Sequence, residues 1–128
     1  MKESRMGGDV AELEALLQGY FDGLHDGDTE KLGAIFHEES HLFSVSDGKL
    51  NDMSRAKWFD LIRSRPSARS QGLPRHDWVV SIDRSGPTTA FAKVHCALPP
   101  RYFTDYLSLV KLGGRWRVIS KTFHTENR

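Results

Sequence analysis

The first chemistry to weigh in this 128-residue chain comes from its six histidines and the carboxylates near them. His37-Glu38-Glu39-Ser40-His41 spells H-E-x-x-H. On a helix that spacing sets two imidazoles on one face for zinc, with the glutamate as base. The neighbouring residues argue against a helix, because His41 runs directly into Leu42-Phe43-Ser44-Val45, which patterns as a strand. No third ligand occurs at a diagnostic spacing, so no metal site is expected. The segment reads as a helix-to-strand junction with exposed acids.

Asp105 and His124 form a second candidate. A carboxylate fixes an imidazole's tautomer and raises its basicity, so the two suit a base and its orienter. The competing reading is a structural pair that satisfies polar groups at a sheet edge. His41 is a third proton-transfer candidate, or a satisfied structural histidine. Tyr20 and Trp58 offer aromatic faces for a flat ligand, or plain core packing. His25, His37 and His76 read as surface residues, and His95 as outward-facing. Cys96 shares a face with Ala90, Ala92, Val94 and Leu98, which favours a buried, inert thiol. Arg63, Arg65, Arg69 and Arg75 surround Pro66 and Pro74. They read as a solvated loop, with an anion or nucleic-acid site as the alternative.

The elements that must position these residues emerge from periodicity. Val10, Leu13, Leu17, Tyr20, Phe21 and Leu24 recur at helical spacing. Asp9 with Glu12 predicts the helix start, and Gly27 its end. Gly19 and Gly23 inside it each cost about 1 kcal/mol against alanine, which close packing on a neighbour would offset. Asp28 caps a short second helix carrying Leu32, Ile35 and Phe36. Residues 41–45 shift to strand patterning, and Asp47-Gly48 marks a turn. Ser54 starts a third helix with Trp58, Leu61 and Ile62. Residues 66–75 read as an exposed loop.

The second half reads as strands. Trp78, Val80 and Ile82 alternate with more polar positions, and Ala90 to Leu98 come after a turn. Residues 102–112 and 115–124 flank Gly113-Gly114, a two-residue hairpin signal. Extending that hairpin regularly puts Leu109 opposite Val118, Leu107 opposite Ser120, Asp105 opposite Thr122 and Phe103 opposite His124. Asp105 and His124 then become diagonal neighbours on one face, roughly 7 Å apart. Tyr106, Ser108, Arg117, Ile119, Lys121 and Phe123 fall on the other face. Helices succeeded by consecutive strands make the class α+β, with three N-terminal helices packed on an antiparallel sheet.

Composition narrows the partners. Lys plus Arg number 18 and Asp plus Glu 17, a net charge of +1, which excludes bulk electrostatics as a basis for nucleic-acid or anionic-membrane binding. A single cysteine excludes an internal disulfide framework and any multi-cysteine zinc site. No apolar run is long enough to span a membrane. Met1 to Asp9 is polar and lacks the apolar stretch of a secretory signal, so a cytoplasmic protein is expected, with residues 1–9 flexible and 10–128 one domain. Neither a phosphate-cradling glycine loop, a dinucleotide fingerprint nor a G-x-S-x-G elbow occurs, and no cofactor is expected.

Two stretches carry a family resemblance. Tyr20-Phe21-Asp22-Gly23-Leu24-His25-Asp26-Gly27-Asp28, with Leu32 and Phe36-His37, resembles the helical start of the nuclear transport factor 2-like (SnoaL-like) superfamily. Phe103-Thr104-Asp105-Tyr106-Leu107-Ser108-Leu109, Gly113 to Val118 and Lys121-Thr122-Phe123-His124 resemble the subgroup labelled "putative lumazine-binding". The resemblance runs from Val10 to His124. It implies a cone-shaped, cystatin-like fold, a curved sheet wrapped around helices with a ligand cavity between them. It also implies homodimers through the sheet's outer face, here carrying Phe91, Tyr106, Ile119 and Phe123. It implies no single activity, since the superfamily holds isomerases, dehydratases, cyclases, binders and transport adaptors.

Three functions stand as expectations. The first is a small-molecule binder taking a flat heterocycle through Tyr20, His41, Trp58, Asp105 and His124. The second is a cofactor-free isomerase or dehydratase moving protons with Asp105, His124 or His41. The third is a protein-interaction module whose cavity is filled by side chains.

Overall fold

The computed structural model describes the chain from Lys2 to Arg128, with side chains described from Gly8 onward. The segment expected to be flexible, residues 1–9, therefore lies mostly outside the described side chains. Helix α1 (Lys2–Asp26) closes on Gly27, whose φ of 65° only glycine adopts without strain. The Gly27 N–H donates to the Leu24 carbonyl at 3.3 Å and the Asp28 N–H to the Gly23 carbonyl at 2.9 Å. That paired pattern satisfies the last carbonyls of the helix. Asp28 at once caps α2 (Thr29–Ile35), its carboxylate accepting from the Lys31 N–H at 3.0 Å.

The predicted start of α1 is corrected. The helix runs through Asp9, so neither Asp9 nor Glu12 is a cap. Both are free to tie the helix to the sheet. Asp9 Oδ1 accepts from Lys111 Nζ at 2.9 Å and Trp116 Nε1 at 3.3 Å, and Glu12 Oε2 from the Trp116 backbone N–H at 3.2 Å. The Lys111 hydrogen bond, and then that of Trp116, hold the Asp9 carboxyl below its ordinary value.

Two strands, not one, precede the third helix. β1 (Phe36–Ser46) and β2 (Lys49–Ser54) form a hairpin over Asp47 and Gly48, both with positive φ. β2 is a polar edge strand with no apolar alternation to betray it. Ser54 then caps α3 (Arg55–Arg63), accepting from the Lys57 N–H at 3.2 Å. Only two helices are therefore N-terminal to the sheet. β1 begins at Phe36, so His37 and His41 lie in a strand and the helical geometry of H-E-x-x-H does not arise.

β3 (Trp78–Ser85), β4 (Thr89–Leu98), β5 (Arg101–Leu112) and β6 (Arg115–Asn127) form the expected meander. The sheet order is β2-β1-β6-β5-β4-β3. β1 joins β6 in parallel, so the sheet is mixed rather than wholly antiparallel. The order arises because β1 arrives by way of α2 onto the edge of β6 that the meander leaves open. A register shift between Val79 and Ser81 turns Val79 and Ile82 inward and leaves Val80 exposed, which corrects the alternation read for β3.

All three helices cover one face of this sheet. Leu13, Leu17, Tyr20 and Phe21 of α1, Leu32 of α2 and Trp58 of α3 join Val94, Leu107, Leu109 and Val118 in one buried cluster. No helix among the described residues is long and apolar enough to cross a membrane. The two glycines inside α1 mark where α2 approaches. A Cβ at Gly23 would lie 2.8 Å from Leu32 Cδ2 and 2.9 Å from its Cγ, and one at Gly19 would lie 3.1 Å from Ile35 Cδ1.

Gly23→Ala tests this contact. Overpacking against fully buried Leu32 costs about 1–3 kcal/mol and the gain in helix propensity is about 1 kcal/mol, so a net loss is expected. A lower urea midpoint at unchanged slope is the expected result; an unchanged or higher midpoint means that α2 yields freely.

Candidate functional site

The site is built by one extra residue. β5 and β6 pair as expected from Leu112–Arg115 to Leu109–Val118. Beyond that Ser108 pairs with Ser120, leaving Ile119 as a bulge. Every later residue of β6 changes face. Lys121 lands beside Leu107 and Phe123 beside Asp105, both on the helix-covered side, while His124 pairs with Thr104 and turns out.

Asp105 has no exposed surface, and Lys121 retains 5% of its own. Tyr20 of α1 donates its hydroxyl to Asp105 Oδ2 at 2.5 Å, and the Cys96 thiol donates to the same oxygen at 3.3 Å. Lys121 Nζ lies 3.7 Å from that oxygen, an ion pair without a hydrogen bond. Four aromatic rings surround the ammonium. Their centroids lie at 4.9 Å for Phe123, 5.0 Å for Trp58, 5.4 Å for Tyr20 and 5.9 Å for Phe103. Ring faces attract a cation, more so when it is desolvated. Among the described residues no atom accepts a hydrogen bond from Lys121 Nζ, so its donors remain available to the space in front of it.

That space is a cavity of about 190 Å³ between α3, the β1–β2 hairpin and the far ends of β5 and β6. Leu42, Met53, Trp58, Leu61, Leu98, Phe103 and Phe123 make its walls apolar; Lys121 is at its floor, and Arg65 and Arg101 are at its rim. Strand parity explains the lining. Leu42 and Ser44 alternate inward on β1, Arg101 and Phe103 on β5, and Lys121, Phe123 and Thr125 on β6.

Tyr20, Trp58 and Asp105, chosen from the sequence, thus meet around Lys121. The two histidines do not. His124 stands exposed on the outer face, 3.9 Å from Glu126, and has no contact with Asp105. His41 is on the outer side of β1, its Nδ1 2.5 Å from Asp52 Oδ1 and its ring stacked on Phe43. The inward placing of His124 depended on a regular strand, which the bulge in β6 displaces. Lys121 and Phe123, expected on the outer face, were missed for the same reason. Cys96 is buried as expected, and its thiol is pushed well above its ordinary value by burial and then by Asp105. No group of three or more histidine, cysteine or acidic side chains suited to a metal occurs among the described residues.

The model of the family described as "Putative lumazine-binding" matches residues 8–124. The chain belongs to this family. Its fold is that of the wider nuclear transport factor 2-like superfamily. It superposes on an NTF2-like protein of unknown function from Shewanella baltica OS155 with a TM-score of 0.83, at 26% identity over 94% of this chain and 96% of that one. A second such protein, from Silicibacter pomeroyi DSS-3, gives a TM-score of 0.84 at 22% identity over 94% and 98%. A structure titled putative scytalone dehydratase, from Novosphingobium aromaticivorans DSM 12444, gives 0.66 at 16% identity over 98% and 89%. In sequence the chain is 27% identical to Aldolase FrzH of Cladobotryum sp over 111 residues, 85% of each chain.

The Tyr20 phenol is held well above its ordinary value of 10.0, first by burial and then by the negative charge of Asp105. The folded state thus keeps a proton that the unfolded chain releases near pH 10, so the contribution of Tyr20 to stability is complete below that pH and falls as pH rises through it. Tyr20→Phe removes a hydrogen bond to a carboxylate and is expected to cost about 2 kcal/mol at pH 7, while flattening the alkaline decline. Urea titrations at pH 7 and above pH 10 check both parts. A variant with wild-type stability at pH 7 would show that the contact contributes little.

Proposed function

We propose that the protein binds a small, flat, largely apolar molecule in the cavity in front of Lys121. The observation that carries this reading is a buried ammonium that is neutralised by Asp105 and ringed by aromatics, yet left without a hydrogen-bond acceptor of its own. An unmet donor at the floor of an apolar cavity suits one carbonyl or ring-nitrogen acceptor on a ligand. Trp58 and Phe123 supply faces for its ring. Membership of a family named for lumazine binding supports a flat heterocycle. The open cavity speaks against the interaction-module alternative.

A second reading, catalysis on a carbonyl compound, draws support from the relative named as an aldolase. In it Lys121 replaces His41 and His124 as the group at the chemistry, holding the oxygen on which enolate charge develops while solvent water or hydroxide takes the α-proton. Asp105 and Tyr20 position Lys121 from behind.

Lumazine is the first probe. Saturable quenching of tryptophan fluorescence is expected. Leu61→Trp, which fills the mouth from a partly exposed position, should weaken it about tenfold without lowering the melting temperature. No saturable binding, or equal binding by the variant, removes lumazine as a cavity ligand. For the second reading, 2-tetralone in D₂O should exchange its α-protons faster with the protein than in buffer; exchange at the buffer rate leaves binding alone.

Homodimerisation through the outer sheet face belongs to the same proposal. Phe91 and Tyr106 stack there at 6.0 Å, beside Trp78 and His95 at 4.9 Å, and Trp78, Phe91 and Tyr106 are exposed. Phe123, expected in this patch from strand alternation, faces the cavity instead. Exposed aromatic area of this kind favours association. Sedimentation is expected to give a dimer at micromolar concentration and a folded monomer for Tyr106→Arg. A wild-type monomer rules the interface out.

A further inference from the structure

Three cations line or floor the cavity, and no carboxylate lines it among the described residues. Lys121 has Asp105 behind it. Arg65 and Arg101 have nothing equivalent. Arg65 lies just past the end of α3 and Arg101 opens β5, so two separate turns bring their guanidinium groups to the same rim. Neither guanidinium makes a hydrogen bond or an ion pair among the described residues, and Arg101 only borders the Phe103 ring at 6.0 Å. The contrast with their neighbours is clear. Arg63 pairs with Asp60, Arg69 with Asp26, and Arg75 with both Asp22 and Asp77.

The two groups also act on each other. Burial, and then the positive charge of Arg101, hold the Arg65 guanidinium below its ordinary value. Two partly buried like charges beside an apolar cavity are costly unless an anion sits between them. A planar guanidinium fork matches a carboxylate in two parallel hydrogen bonds. The floor is less suited to that anion, because Asp105 already balances Lys121.

We propose that the ligand is a small organic carboxylate, its ring system held against Trp58, Phe103 and Phe123 and its carboxylate clamped by Arg65 and Arg101 at the cavity mouth. This rests on the cavity being a binding site and adds the charge of what it binds. A keto or ring-nitrogen acceptor on the same molecule would reach Lys121 at the other end. The basic stretch around Pro66 then divides into arginines paired within the protein and one, Arg65, turned to the ligand.

Two probes of one shape separate the clamp from the cavity: 2-naphthoate and its neutral amide, 2-naphthamide, titrated by calorimetry. The wild type should bind the carboxylate at least about tenfold more tightly, the scale of a hydrogen bond to a charged group. Arg65→Gln with Arg101→Gln should abolish that preference while leaving 2-naphthamide affinity unchanged, and added salt should weaken only the carboxylate. Equal affinity for the two probes in the wild type overturns the clamp and leaves the apolar cavity standing. Failure of both probes to bind overturns the cavity reading and the clamp together.

Discussion

Asp105 is a carboxylate sealed from water on the inner face of the sheet, among mostly apolar inward residues and beside Lys121. An isolated charge in such a place is prohibitive, and even a paired one recovers its desolvation cost only with good geometry and further hydrogen bonds. The surrounding structure supplies these. Tyr20 arrives from α1, Cys96 from β4 and Lys121 from β6, so three elements far apart in sequence must be docked before Asp105 Oδ2 is satisfied, while Oδ1 stays buried without a hydrogen-bond partner among the described residues. The cluster therefore links the seating of α1 to the register of the final hairpin. Trp58 then closes over Lys121 from α3 and brings the third helix into the same arrangement.

The Ile119 bulge makes that possible. Without it Ser120 would face Leu107, Thr122 would face Asp105, and Lys121 would point to the outer surface, leaving the acid unpaired. Bulges are local, but period-two alternation carries their effect to the end of the strand. Here one inserted residue moves a cation and an aromatic ring into the cavity and moves a histidine out. The neighbouring irregularity in β1, between Phe36 and His41, sits on the same stretch of β6. The two distortions occur where a mixed sheet curves over its helices.

Legibility in the sequence divides along the same line. Helix stops at Gly27, caps at Asp28 and Ser54, and hairpin turns at Asp47-Gly48 and Gly113-Gly114 depend on one or two residues with special conformational needs, and these were readable. β4 and β5 pair without interruption from Thr89–Val110 to Leu98–Arg101, so their inward faces, including Cys96 and Asp105, could be assigned by alternation alone. β6 could not. Ile119 is an ordinary β-branched strand residue, and nothing in Arg117-Val118-Ile119-Ser120 announces a bulge. Its cause is tertiary, and so the histidine-based site was drawn on the wrong face. The acidic starts at Asp9 and Glu12 failed for a related reason: cap-forming residues are equally good partners for a distant Lys111 and Trp116.

The geometry also limits what chemistry the cavity can perform. No imidazole or carboxylate lines it among the described residues, and the nearest acid, Asp105, is shielded by Lys121. A proton leaving a bound molecule has therefore no positioned base in the wall to receive it. What the wall does offer is fixed positive charge, one ammonium at the floor and two guanidinium groups at the rim, around aromatic surface. Such an arrangement stabilises anionic oxygen wherever it lies, in a ground state or in one that forms during reaction. Binding needs only the first. Catalysis needs the ammonium to hold charge that is greater in the transition state than in the bound molecule, and the Asp105 carboxylate that already balances Lys121 lowers what the ammonium can contribute there.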